Sequence, residues 1–202
     1  MSKEDNLWSM IKLGLILAAY AVASCAILAI VNNATSPVIQ QNQIRKANEA
    51  MKSVFVDAEN FEQINDYEKA QNSSISIDNM YLAKKGTETI GAACQISGPT
   101  YDQGTIIIGM TKDGILTGLR FLKLTDSPGF GLKANDPTFT LPNGMTFYEQ
   151  FSGKDAKNGF NAGENYDAIS GATITSVGIA NLINEGTASM LKYFAKNGGN
   201  NE

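Results

Sequence analysis

The stretch Gly104-Thr105-Ile106-Ile107-Ile108-Gly109-Met110-Thr111-Lys112-Asp113-Gly114-Ile115-Leu116-Thr117-Gly118-Leu119-Arg120-Phe121-Leu122-Lys123-Leu124 holds two β-forming runs around one turn signal. Lys112-Asp113-Gly114 reads as the hairpin turn between 106–108 and 116–121. Within 119–124 the apolar side chains alternate imperfectly with Arg120 and Lys123, as in a half-buried strand. Upstream lie two more short apolar runs, 80–83 and 89–96, set off by Lys85-Gly86 and Pro99. The four runs 80–83, 89–96, 104–110 and 115–124 predict an antiparallel meander. Residues 57–78 are acidic and polar, with Asn72-Ser73-Ser74 as a loop.

Downstream of the meander, Asp167-Ala168-Ile169-Ser170-Gly171-Ala172-Thr173-Ile174-Thr175-Ser176 precedes a helical pattern. Val177, Ala180, Ile183 or Asn184, Thr187, Met190 or Leu191 and Phe194 recur at helical spacing. Ser176 or Thr175 serves as N-cap, which places a cluster of hydroxyls beside unpaired backbone N–H groups and the positive end of the dipole. That arrangement suits a phosphate, and it equally describes a plain capped helix after a turn. Between meander and helix, Thr125-Asp126-Ser127-Pro128-Gly129-Phe130-Gly131 carries a Pro-Gly turn signal and two glycines that allow close approach of a planar or phosphorylated group. By itself this loop also reads as a surface turn.

Residues 1–12 are polar, with Trp8 suited to a headgroup interface. From Leu13 to Val31 there are 19 residues without a charge. As a helix they span about 28 Å, close to the hydrocarbon thickness of a bilayer. The apolar region of a cleaved signal peptide is shorter, about 7–15 residues, and its small-residue cleavage site follows that region. Here Ala21-Val22-Ala23 lies inside it. Val22-Ala23-Ser24-Cys25 resembles a lipoprotein processing box, yet six apolar residues follow where a mature lipoprotein turns polar. A retained transmembrane helix is therefore expected. Lysines and arginines flank it on both sides, so charge does not fix its orientation. Residues 32–37 form a polar break in which Thr35 or Ser36 caps a second helix. Ile44, Ala47, Met51, Val54 and Phe55 share one face of it, and it runs to about Phe55 and packs on the globular domain.

Composition narrows the function classes. The net charge of −4 argues against nucleic acid and against a polybasic membrane-surface role. No histidine occurs, which removes Ser-His-Asp and Cys-His catalysis and makes ordinary zinc chemistry improbable. Cys25 and Cys94 are far apart and show no disulfide or iron–sulfur spacing.

The order Asp-x-x-Ser-Gly-Ala-Thr-x-Thr at 167–175 resembles the flavinylation motif of the FMN-binding domain family found in membrane redox complexes. The resemblance implies that Thr175 carries FMN through a phosphoester bond made by a flavin transferase from FAD. Asp167, Ser170, Gly171, Ala172 and Thr173 are then the surrounding motif. Asp126-Ser127-Pro128-Gly129-Phe130-Gly131 resembles the family's second signature, an acidic residue followed by Thr-Pro-Gly-hydrophobic-Gly. Many members have a histidine two residues before the acidic one; this chain has Leu124, so no proton relay is read there. A third segment, 147–154, resembles the family's short helix ending in Gly-Lys. The resemblance runs from about 104 to 194; the Ser127-Pro128-Gly129 loop is expected to approach the flavin ring, with Asp126 near it and Tyr166 or Phe130 as an apolar neighbour.

The implied fold class is α+β: one N-terminal transmembrane helix, then one extracytoplasmic FMN-binding domain with an antiparallel sheet and flanking helices. The expected division is a short cytoplasmic terminus at 1–12, the span at 13–31, a juxtamembrane helix at 32–56, the FMN domain at 57–196 and a flexible tail at 197–202. Within the family the anchor length, domain size and Thr-Ser ending are most similar to the G subunits of the Rnf complexes, which couple electron flow between ferredoxin and NAD to ion transport. The homologous C subunit of the sodium-pumping quinone reductases is the rival, and a stand-alone extracytoplasmic FMN reductase is a third reading. The implied partners are the other membrane subunits of an Rnf complex, a flavin transferase and the bilayer, with no nucleic acid. The implied place is the cytoplasmic membrane, with the FMN domain outside.

Overall fold

The computed structural model describes residues 3–197, so the expected tail falls almost wholly outside the described residues. The element order is α1 (Lys3–Val54), β1 (Asn60–Ile64), β2 (Ser76–Lys85), β3 (Glu88–Gly98), β4 (Gly104–Thr111), β5 (Leu116–Leu124), two short 3-10 helices (Gly131–Asn135 and Glu149–Phe151) and α2 (Thr173–Asn197). By internal packing the chain divides into two units, Met1–Arg45 and Lys46–Glu202.

In the first unit, the expected break at 32–37 is absent and α1 runs through it, with Pro37 inside the helix. Proline there removes one N–H from the helical ladder. Thr35 does not cap a new helix; its hydroxyl donates back to the Val31 carbonyl at 2.9 Å. A hydroxyl bonded to the preceding turn leaves the helix intact, and extending a formed helix is far easier than nucleating a second one. The apolar span within α1 is long and apolar enough to cross a membrane, and it is exposed along its length.

The second unit is built on a five-stranded antiparallel sheet in the order β1-β2-β3-β4-β5. All four expected runs are strands. The turn after Thr111 carries Gly114 at φ +90°, where a side chain would strain the backbone. β1 is an addition to the expected meander, because Asn60-Phe61-Glu62-Gln63-Ile64 lacks a β-forming run. It exists through its partner: Phe61 pairs with Ala83 and Ile64 with Met80 along β2. The loop at 72–74 is present, closed by Ser74 N–H donating to Asn72 Oδ1 at 3.0 Å.

Side chains alternate between two covered faces. On one, Cys94, Ile96, Ile106, Ile108, Met110, Leu116 and Leu119 pack with Ile179, Leu182, Ile183 and Met190 of α2 in the main core. An aromatic group extends that core, with Phe151 at 5.4 Å from Phe147, 5.2 Å from Phe160 and 5.3 Å from Tyr166 between ring centres. On the other face, Ala83, Ala93 and Ile107 meet Ala50, Met51, Val54 and Phe55 from the end of α1 and just beyond. Met51, Val54 and Phe55 match the expected packing face; Ile44, placed on the same face by its spacing, is exposed. A Cβ on Gly91 would lie 2.6 Å from the Phe55 ring, and one on Gly109 would lie 2.9 Å from it. The two glycines therefore form a trough that the Phe55 ring fills.

Segment 66–72 is tied to α2 through polar groups. Glu185 accepts the N–H groups of Gln71 and Asn72 at 2.7 and 3.2 Å, and Ser189 donates to the Glu68 carbonyl at 2.6 Å.

Candidate functional site

Three loops meet at the start of α2: 99–102 between β3 and β4, 125–131 after β5, and 167–172. The group that joins them is the carboxylate of Asp126, which is 2% exposed. One of its oxygens accepts the Thr100 hydroxyl at 2.5 Å and the Asp102 N–H at 3.0 Å, while the other accepts the Tyr101 N–H at 3.2 Å. The Thr175 hydroxyl also donates to this carboxylate. Burial pushes the Asp126 carboxyl up, and the four donors outweigh it and hold the group below its ordinary value. It is an anion whose negative charge is already shared among neighbours.

Close approach is secured by two missing side chains. A Cβ on Gly131 would come within 2.6 Å of both the Thr175 hydroxyl and the Asp126 side chain. A Cβ on Gly178 would come within 2.6 Å of the Thr100 backbone. Any larger residue at either place would push α2 off the loops it faces.

α2 begins three or four residues earlier than expected, at Thr173, so neither Thr175 nor Ser176 is its N-cap. Ser176 accepts the Ile169 N–H and donates to the Ala172 carbonyl, both at 3.0 Å, which fastens the loop to the helix. Its own N–H makes the first helical bond, to Ala172, at 3.0 Å. The N–H groups of Thr173, Ile174 and Thr175 precede that bond at the positive end of the helix.

Above this junction lies a cleft of about 440 Å³ lined by Tyr101, Ser127, Phe130, Gly131, Gly171, Ala172, Thr173, Ile174 and Thr175. Tyr101, Phe130 and Ile174 are 65%, 57% and 63% exposed, so a polar floor carries an uncovered apolar rim. Exposed apolar side chains grouped around a cleft with a few polar groups are the usual make-up of a small-molecule site.

Of the residues singled out from sequence, Ser127, Gly171, Ala172, Thr173 and Thr175 line the cleft, and Asp126 stands behind its wall. Pro128, Gly129 and Ser170 are exposed on the adjoining loops and do not line it. Asp167 is held structurally. Its backbone is clasped by the Gln150 amide at 2.8 and 3.0 Å, and its carboxylate accepts Asn143 at 3.1 Å. Tyr166 is buried in the aromatic group, away from the cleft, because its ring completes the packing around Phe151. Sequence reading passes over Thr100, Tyr101 and Asp102, which look like no more than the Pro99 separator between strands. Among the described residues no cluster of histidine, cysteine or acidic side chains could hold a metal ion.

Comparison with known proteins agrees with this geometry. Residues 101–188 match the family described as FMN-binding domain, which spans the cleft from Tyr101 through most of α2, and residues 1–54 match the RnfG N-terminal region. The chain is 31% identical over 198 residues to the G subunit of the Na(+)-translocating ferredoxin:NAD(+) oxidoreductase complex of Acetobacterium woodii, covering 88% of this chain and 90% of the relative. It is 25% identical to the G subunit of the proton-translocating ferredoxin:NAD(+) oxidoreductase complex of Clostridium ljungdahlii, over 96% of this chain and 98% of the relative. It is 28% identical to the G subunit of the ion-translocating oxidoreductase complex of Yersinia pestis, over 80% of this chain and 81% of the relative. The chain therefore belongs to the G-subunit family of the Rnf ion-translocating oxidoreductase complexes, and its cleft lies within its FMN-binding domain.

Proposed function

We propose that this chain is a membrane-anchored electron-transfer subunit of an ion-translocating ferredoxin:NAD oxidoreductase complex, with FMN joined to Thr175 through a phosphoester. The observation that carries the reading is the position of the Thr175 hydroxyl, in the first turn of α2 on the floor of the cleft. The three leading N–H groups of the helix favour a phosphate at this place. Tyr101, Phe130 and Ile174 offer apolar surface for the isoalloxazine ring, and the bare backbone at Gly171 leaves room beside it. FMN when bound supplies one- or two-electron chemistry; the protein holds it and leaves its edge open to other carriers.

The rest of the chain fits a relay. The span at 13–31 has no charge, so it offers no ion path of its own, and ion transport falls to the other membrane subunits. The G-subunit names of the matched relatives support an Rnf complex over a quinone reductase. The domain is placed on the extracytoplasmic side of the cytoplasmic membrane, where covalent attachment prevents loss of the flavin. A flavin transferase is the partner that loads it.

Thr175→Ala, in the full chain co-expressed with a flavin transferase, is expected to abolish flavin fluorescence retained through a denaturing gel. Peptide mass spectrometry of the unsubstituted protein should place the adduct on Thr175. Equal labelling of the variant, or an adduct on Thr173, would sink the assignment.

A further inference from the structure

Four hydroxyls crowd the motif at Ser170, Thr173, Thr175 and Ser176. Their surroundings differ. Ser176 is committed to Ile169 and Ala172, and Ser170 and Thr173 are exposed. Among the described residues, Thr175 is the member of this set whose hydroxyl meets a carboxylate. Gly131 is what permits that meeting, since any side chain there would occupy the space of both groups.

We propose that Asp126 is the acceptor-side base for flavinylation, receiving the Thr175 hydroxyl proton and thereby selecting Thr175 among its neighbours. This rests on Thr175 being the site of attachment. The step balances without any change of oxidation state. The Thr175 oxygen attacks the phosphorus bonded to the riboflavin of a flavin dinucleotide. The bond from that phosphorus to the bridging oxygen breaks, and AMP leaves carrying that oxygen. The hydroxyl proton passes to the Asp126 carboxylate and then to solvent. Donors at 2.5, 3.0 and 3.2 Å from three successive residues fix the carboxylate, so it cannot swing away from the hydroxyl. Once the oxygen is esterified, its bond to Asp126 is gone and a phosphodiester anion stands near the carboxylate. The charge repulsion then favours the phosphate turning toward the leading N–H groups of α2.

The test uses the full chain in detergent with a purified flavin transferase and FAD, reading the initial rate of covalent labelling and the labelled residue. Asp126→Asn keeps size and shape but removes the base, and labelling of Thr175 should slow by about 10²-fold or more, within the range for loss of a general base. Asp126→Glu keeps the carboxylate and should recover a rate at least tenfold above the Asn variant. A purely structural role slows labelling only as far as the fold is lost, because Asn leaves one acceptor oxygen short of the four donors that meet the carboxylate. Protection of the buried Cys94 thiol from alkylation reports folding in each variant. Should both variants unfold, Thr100→Val decides: it removes the 2.5 Å donor that fixes the carboxylate, so slower labelling of the folded chain that Thr100→Ser restores supports the base, and labelling at the unsubstituted rate overturns it. Asn labelled as fast as the unsubstituted chain would also overturn it. An adduct away from Thr175 in the unsubstituted protein would instead remove the reading on which this one rests.

Discussion

The two faces of the sheet are covered by different means. The face toward α2 is packed by large side chains, Ile96, Ile106, Ile108, Met110 and Leu119 against Ile179, Leu182 and Ile183. The face toward the end of α1 works by subtraction: Gly91 and Gly109 withhold side chains, and Phe55 fills the space. The first face also carries the cleft, where subtraction recurs at Gly131 and Gly178. Bulk supplies stability, and missing side chains decide how near two backbones come. The cleft needs both, since a carboxylate and a hydroxyl must meet in a wall held by a large core.

That contrast can be broken from either side. The largest expected effect is from Phe55→Ala, which empties the trough. Loss of a buried phenyl ring costs about 3–5 kcal/mol, read as a lower denaturation midpoint of the protein in detergent. Flavin attachment in the fraction that remains folded should persist, because Phe55 packs in the other cluster, with Ala83, Ala93 and Ile107. Loss of labelling in folded Phe55→Ala would show that the two faces are coupled.

Gly131→Ala probes the other side. Its Cβ would overlap the Thr175 oxygen and the Asp126 side chain, so the loop must shift. Overpacking of this kind costs about 1–3 kcal/mol, less than the Phe55 change, yet covalent labelling should fall steeply. Normal labelling with unchanged stability would mean that the loop gives way freely and that the close approach has no chemical purpose.

The smallest effect sharpens the role of Asp126 itself. Its folded value lies below the ordinary 3.8, so the group binds protons less readily in the folded state. Its stabilisation is therefore present above about pH 4 and is lost as pH falls through the folded value. Asp136 and Glu149 are also held low by Thr138 and Thr146 and titrate nearby, so the difference between the unsubstituted chain and Asp126→Asn is the quantity to read. That difference should narrow as pH drops below about 4; one that stays constant through strong acid would deny Asp126 its lowered value.

Much of this is legible in the residues, because local patterning dictates it. The apolar span, the Lys112-Asp113-Gly114 turn and the four strand runs need only their own side chains and neighbours in sequence. The flavin motif is visible because a hydroxyl cluster before a helix is a linear feature. Three features are not visible. β1 exists because β2 offers it an edge, and nothing within 60–64 announces that. The break at 32–37 fails because Thr35 turns its hydroxyl onto its own helix. Tyr166 leaves the expected site because Phe151 and Phe147 give its ring a drier place.

The sequence by itself therefore determined a helix long and apolar enough to cross a membrane, the antiparallel class of the sheet and the threonine in the first turn of α2. Only the tertiary structure decided what that threonine meets. Asp126 is 49 residues away along the chain, with Thr100 a further 26 before it. No local propensity links such positions; they come together because β4 and β5 run antiparallel between them and α2 closes on the loops at one end. A motif can carry the hydroxyl, but the carboxylate it meets is supplied by packing across the sheet.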